Sequence, residues 1–528
     1  MVGRPPVLPL EPWRCIGSHL SNADIKSLRL ACKQFNNAVS LRFDRVFLSA
    51  NPLNIEVLRN IASHDQFRHQ VKELIWDEAR LYRGPPRMDD DMEGLEYLSD
   101  EDGSKETGLS LEYRVKELIR LHGSEEGDGC PLWFKRACGE NLSFLKTRDP
   151  DSPDYIARGE QALAQPSLRE HWQHYQQLLR QQKDVFEDLG DVEAFEFGVK
   201  QFPALKRVTI TPAAHGKFTN PLYPTPMIRA FPKGFNYPIP CGWLYRRRYD
   251  EPAYAYGWKE YPELRDRYRG FSTAMKVLAS KPNSVSELVM TSNFMPTGIN
   301  CRVFDEPCDE YNEFAAVLEK PGFRRLDITL LVGGLFMDDI EACWRSLSNG
   351  RLGQALGEAK DMEEFRLHTT LHDDLLYDAP LIPLQSIAPV EQWSKLRHFE
   401  LCNFAITDED LVSFLKALPK TIRSIELSLL RFLDDGNWFS TLGQIRRAVS
   451  KPLWADRDAA SRPKLKIGIL PVIAELVYGA GRIEWYEKEV ENFIYGEGRN
   501  PFYLSFMEYE GGFVPEFGDP YLKLGMGL

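Results

Sequence analysis

No stretch of this sequence is apolar for long enough to cross a bilayer. The most apolar run, Ile467 to Tyr478, is short and carries Glu475. The opening MVGRPPVLPLEPW has too few consecutive apolar residues for a signal peptide. Cysteine is sparse: nine are spread along 528 residues with no dense framework, which fits a reducing compartment and argues against a disulfide-built secreted domain. Positive charge is not in excess either. With 65 Lys and Arg against 77 Asp and Glu, the net charge of -12 argues against a generic phosphate-backbone binder, although basic patches can exist locally. The cytosol or nucleus is the expected location, with no basic import cluster to choose between them.

Catalytic signatures are missing as well. There is no GxSxG elbow, P-loop, HExxH or paired CxxC, so no catalytic residue and no cofactor is nominated. His368 and His372, followed by Asp373 and Asp374, would share one side of a helix. The preceding MEEFRLH reads as strand, however, and strand residues four apart are separated by about 13 Å, so no metal site is assigned. Cys301 with Cys308, and Cys130 with Cys138, lack a matched second pair at zinc spacing and read as free thiols.

What remains is a chain 43% hydrophobic and 27% charged, the composition of an ordinary folded protein. Its first forty-odd residues, LPLEPWRCIGSHLSNADIKSLRLACKQFNNAV, predict three short helices. Pro12 suits a first helical turn, and Trp13, Ile16 and Leu20 then share a face. Ser21 and Asn22 interrupt, Ile25, Leu28 and Ala31 form a second stripe, and Phe35, Ala38 and Val39 a third. About forty residues bury little alone, so this unit must dock on the rest of the chain or on a partner.

The same run resembles an F-box. Leu8, Pro9, Glu11, Ile16, Leu20, Asp24, Ile25, Leu28, Arg29, Leu30, Ala31, Cys32 and Lys33 occupy the positions of that motif, while Pro12, Trp13 and Phe35 depart from its usual residues. The resemblance implies docking onto the Skp-type adaptor of a cullin-RING ubiquitin ligase, with Leu8, Pro9, Ile16, Leu20, Ile25 and Leu28 as adaptor contacts. A plain helical cap over a repeat array is the alternative.

Beyond it, apolar residues recur at i, i+3 and i+5, the core of a leucine-rich-repeat strand. The triples are Val71, Leu74, Trp76; Leu205, Val208, Ile210; Val285, Leu288, Met290; Phe323, Leu326, Ile328; Met362, Phe365, Leu367; Leu396, Phe399, Leu401; and Ile422, Ile425, Leu427. Several follow a helix-like segment and a turn, and in LRHFELCNF the residues Cys402 and Asn403 stand where such repeats bond turn backbone. Only the last two middle residues, 399 and 425, lie within the usual repeat of roughly 20 to 29, so the array is irregular and one or more copies are expected to hide between residues 208 and 288.

The expected fold is therefore α/β: an irregular leucine-rich-repeat-like solenoid behind a small all-α F-box, with a compact mixed-sheet domain as the alternative. The boundaries are 1–45 for the helical unit, 46–82 for a first repeat and linker, 83–200 for an insertion, 201–475 for the array and 476–528 for a cap or tail. Within the insertion, Asp89 to Glu106 reads as an acidic loop and Ser167 to Asp188 as one long helix. The layout resembles F-box proteins of filamentous fungi. That implies a recruiting subunit, binding a Skp-type adaptor and cullin-RING ligase at one end and an unknown protein target at the other, or a non-ligase scaffold. Cys241 to Gly270, rich in aromatics and arginines, supplies Trp243, Tyr245, Arg246, Arg247 and Trp258 as partner-binding candidates. The same mixture could be a structural loop and helix, or stack on single-stranded nucleic acid, though its five acidic residues dilute the charge.

Overall fold

The computed structural model describes residues 10–84, 129–146, 155–216, 221–244, 254–333, 337–370, 381–469, 483–503 and 514–515, apart from positions 21, 294 and 435. Leu8, Pro9, the acidic stretch 89–106, Tyr245, Arg246, Arg247 and His372 lie outside the described residues.

In each of the seven apolar triples the second and third residues fall on a strand of one sheet, and the first lies two residues before it. The strands are β1 (Arg45–Leu48), β2 (Glu73–Asp77), β3 (Arg207–Thr211), β4 (Glu287–Met290), β5 (Ile299–Asn300), β6 (Arg325–Leu331) and β7 (Glu364–Thr369). They continue with β8 (His398–Cys402), β9 (Ala405–Ile406), β10 (Ser424–Ser428), β11 (Arg431–Phe432), β12 (Lys464–Ile469) and β13 (Glu484–Tyr486). The eleven-stranded sheet runs β1-β2-β3-β4-β6-β7-β8-β10-β12-β13, with β5 beside β6, while β9 and β11 pair separately. Every pairing in the large sheet is parallel except that of β12 with β13. The chain is thus a mixed α/β protein on a mostly parallel sheet laid down in sequence order.

The register explains the triples. Val46, Leu74, Val208, Leu288, Leu326, Phe365, Phe399, Ile425 and Leu465 pair across nine strands, and all are buried. Two residues on, Leu48, Trp76, Ile210, Met290, Ile328, Leu367, Leu401, Leu427 and Ile467 form a second buried row. Side chains alternate across a strand, so both rows lie on one face. The intervening helices bury their own stripes in the same core: Ile55 and Leu58 from Pro52–Ser63, Phe195 and Val199 from Gly190–Gln201, and Phe271 and Met275 from Arg269–Ser280. Phe314 and Val317 from Asp309–Leu318 and Leu411 and Phe414 from Asp408–Ala417 continue the layer. A helix between parallel strands is what their connection needs.

The sheet's other four strands, β1, β5, β12 and β13, were missed in the sequence. β1 carries the same signal, Phe43, Val46 and Leu48. β12 has Leu465 and Ile467 but Arg462 at the first position, which broke the pattern.

No strand stands between β3 and β4 in the sheet, because the two pair directly, and the described residues of the wide gap hold none. The expectation of a missed copy is corrected for a topological reason. β2 and β3 are neighbours, so the long connections that leave their carboxyl ends emerge side by side and build a second core. Trp133, Phe134 and Cys138 from helix Leu132–Lys146, Tyr175 and Leu178 from helix Leu168–Glu187, and Met227, Phe235 and Tyr237 from the later connection meet there. The long helix matches its expected span: Ser167 and Glu170 form a reciprocal capping box, and the chain leaves the helix at Asp188. Its Gln182 lies inward, donating to the carbonyl of Leu81 at 3.2 Å and accepting from its N–H at 2.8 Å.

Asn403, after β8, holds a left-handed φ of 56° and donates to the carbonyl of Thr369 at 3.0 Å, the turn-bonding role expected of it.

Candidate functional site

The amino-terminal residues form three helices, α1 (Leu10–His19), α2 (Asn22–Ala31) and α3 (Lys33–Ala38). Their core is small. Ile25, Ala38 and Val39 are buried, with Trp13, Leu20, Leu28 and Leu41 packed around them. Trp13 meets Phe35 edge-on at 4.5 Å, which explains how two departures from the motif are accommodated together. At Gly17 a Cβ would stand 2.1 Å from a Val39 methyl, so glycine permits the close approach of α1 to the chain leaving α3. Arg42 closes the unit: its guanidinium donates to the carbonyls of Gly17, Ser18 and Leu20 at the end of α1, and its backbone exchanges two hydrogen bonds with the Asn22 side chain.

This packing divides the expected adaptor contacts. Ile25 is fully buried and belongs to the helical core, so it is corrected from contact to structural residue. Ile16 remains 42% exposed, and Leu20 and Leu28 are half-buried. Leu30, on α2, is 88% exposed and offers more apolar surface than any of them.

Trp243 and Trp258 are not on the surface. They are 2% and 4% exposed in the main core, each anchored by a buried carboxylate: Trp243 Nε1 donates to Glu78 at 2.6 Å and Trp258 Nε1 to Glu310 at 3.2 Å. The correction has a plain cause. An indole supplies a large apolar body and one donor, which suits a core that already holds an acid as well as it suits an interface.

Glu78 and its neighbour Asp77 end β2 inside the protein. Burial pushes Asp77 up to about 7, against the hydrogen bond from the N–H of Ala79 and with the charge of Glu78 adding to the rise. Burial likewise pushes Glu78 up to about 7, although Trp243 and the N–H of Gly270 bond to it. A Cβ on Gly270 would fall 2.6 Å from the Glu78 carboxyl carbon, so this approach requires glycine. His215 faces Asp77 at 3.8 Å and bonds Tyr237 at 2.8 Å, and burial pushes it down to about 3. Both partners are about 1% exposed, so a neutral pair is favoured over an ion pair.

The opposite face of the large sheet is charged. Its first row reads Arg45, Glu73, Arg207, Glu287, Arg325, Glu364 and His398, one residue per paired strand, with the sign alternating from Arg45 to Glu364. Like charges stacked at strand spacing would repel, whereas this order pairs them. Arg207 and Arg324 each reach Glu287 at 2.6 Å, Arg45 reaches Glu73 at 3.4 Å and Arg325 reaches Glu364 at 3.3 Å. In the second row Arg366 bridges Asp327 at 3.1 Å and Glu400 at 2.9 Å, and Lys466 meets Glu426 at 3.1 Å. Burial disfavours ionised Glu400, but the His368 hydrogen bond at 2.9 Å, nearby His398 and the Arg366 charge outweigh it and hold the carboxyl well below its usual range.

No protein-family model and no curated protein matches this chain. Function is therefore argued from these surfaces. Part of the charged face was legible in the sequence, because RRLDI, EEFRLH and RHFEL alternate charged with apolar residues, but only pairing reveals that the charges compensate one another. Among the described residues, no helix is long and apolar enough to cross a membrane, and no group of three or more His, Cys, Asp or Glu gathers at metal-binding distance.

Proposed function

We propose that the protein is a non-catalytic recruiting subunit of a cullin-RING ubiquitin ligase, working in the cytosol or nucleus. In this reading α1 to α3 form an F-box that docks on a Skp-type adaptor, and the remainder is an irregular leucine-rich-repeat-like solenoid that holds a target protein. The observation that carries it is the apolar surface left open by a helical unit with so small a core: Ile16 and Leu30 exposed, Leu20 and Leu28 half-covered. The solenoid reading draws on strands that follow chain order, each pairing only with its neighbours. Rate enhancement then comes from holding the target near a charged ubiquitin carrier.

The test is capture of a Skp-type adaptor by wild type, by Ile16→Asp with Leu30→Asp, and by Leu8→Ala with Pro9→Ala. Covering an Ile or Leu side chain is worth about 1.5–3 kcal/mol, so each pair should weaken capture by about two orders of magnitude. Circular dichroism should stay unchanged. Equal recovery from all three would remove the F-box assignment, and adaptor recovered without cullin would favour a non-ligase scaffold.

A further inference from the structure

Just before its strands, the sheet carries a second line of residues. The backbone N–H of Lys206 donates to the carbonyl of Lys72, that of Ser286 to Lys206, Arg324 to Ser286, Glu363 to Arg324, Arg397 to Glu363 and Arg423 to Arg397. These bonds align the residues along the amino-terminal edge, one per strand. Five of the seven are cations, and all five are exposed; Glu363 stands within the line, and exposed Asp44, whose carbonyl accepts from the N–H of Lys72, stands at its end.

A cation at this edge has an obvious structural use, because the helices of a parallel α/β layer end there and expose their last carbonyls. Lys320 serves in that way, with Nζ bonded to the carbonyl of Leu278. Arg324 is committed to Glu287. Lys72, Lys206 and Arg397 are different: among the described residues their side chains have neither a carboxylate nor a carbonyl partner. Among the described residues the Arg423 side chain bonds only the carbonyls of Lys420 and its neighbour Ile422, and the like charge of Arg457 lies close enough to oppose it. In a chain of net charge -12, this edge holds cations that the protein does not neutralise.

We propose that the amino-terminal edge of the sheet binds an extended acidic peptide laid across the strands, its carboxylates meeting Lys72, Lys206, Arg397 and Arg423. Seven strands at about 4.8 Å make a line of about 29 Å, and an extended chain rising about 3.3 Å per residue covers that with about nine residues. Complementary charge at such an edge steers the encounter and sets register. The proposal deepens the recruiting reading, resting on it only for the assignment of the peptide to a target, and names the chemistry of the recognised segment.

Fluorescence anisotropy of the full chain at low salt tests it, with a labelled peptide of nine Asp and Glu residues, its Asn and Gln counterpart, and a nine-nucleotide single strand as probes. Two variants are compared: Lys72→Glu, Lys206→Glu, Arg397→Glu, Arg423→Glu, and the same four positions changed to Gln in case reversal perturbs folding. The acidic peptide should bind the wild type, the neutral one should not, and both variants should weaken the acidic peptide by about tenfold or more. Unchanged affinity in a folded variant overturns the proposal, as does no binding of the acidic peptide. A single strand that binds as tightly and loses as much in the variants would assign the edge to nucleic acid instead. Adaptor capture is scored on the same proteins: its loss from wild type with peptide binding retained removes the ligase reading and leaves the edge assignment standing.

Discussion

Asp77 and Glu78 hold their protons to about pH 7 in the fold, while in an unfolded chain each ionises near its ordinary value of 3.8 or 4.5. Between those limits the folded state binds more protons, so stability falls as pH rises, by about 1.4 kcal/mol per unit for each group. His215 acts in the other direction. Burial keeps it neutral down to about 3, so stability drains away as pH falls below its ordinary 6.5. Two carboxyls against one imidazole make the site favour mildly acidic pH. Replacing both acids by Asp77→Asn and Glu78→Gln should therefore leave a variant whose melting temperature gains on wild type as pH rises from about 5.5 to about 8. A difference that does not vary with pH would show that the carboxyls ionise normally.

At the scale of the strand, the row of alternating charges is a register device. Moving any strand by one residue would bring its charges into the core and its apolar residues out. Glu287 on β4 is the tightest point, 7% exposed and held by Arg207 and Arg324 together. Burial disfavours its charge, and the two guanidiniums more than restore it, lowering the carboxyl below its usual range. Glu287→Lys would place three cations together and should cost about 2–4 kcal/mol, seen as a lower urea midpoint with an unchanged slope. A shift near zero would mean that the row contributes solubility and nothing to the sheet. The strands themselves were readable because apolar residues recur at i, i+3 and i+5. The missed strand β12 was not, since Arg462 interrupts its signal where Arg462 instead stacks on Tyr495 and donates to the carbonyl of Ala455.

For the whole molecule, the three-helix unit and the sheet have separate cores: Ile25, Ala38 and Val39 in one, the paired rows and their helices in the other. Removing residues 1–40 should leave the cooperative melting of the sheet within a few degrees of wild type while abolishing adaptor capture. A large loss of stability would instead support α1 to α3 as a cap on the array. The positions of the seven expected strands, the three opening helices and the helix from Leu168 to Glu187 were set by local periodicity and capping residues, which the sequence states directly. Tertiary structure alone decided the rest. Whether Trp243 and Trp258 face solvent depends on Glu78 and Glu310, 165 and 52 residues away in the chain. That β3 pairs directly with β4, with two long connections building a second core beside them, is a tertiary outcome. The cations of the sheet edge form a line only once seven strands pair in register, because a hydrogen-bonded ladder turns positions scattered over the sequence into neighbours about 4.8 Å apart.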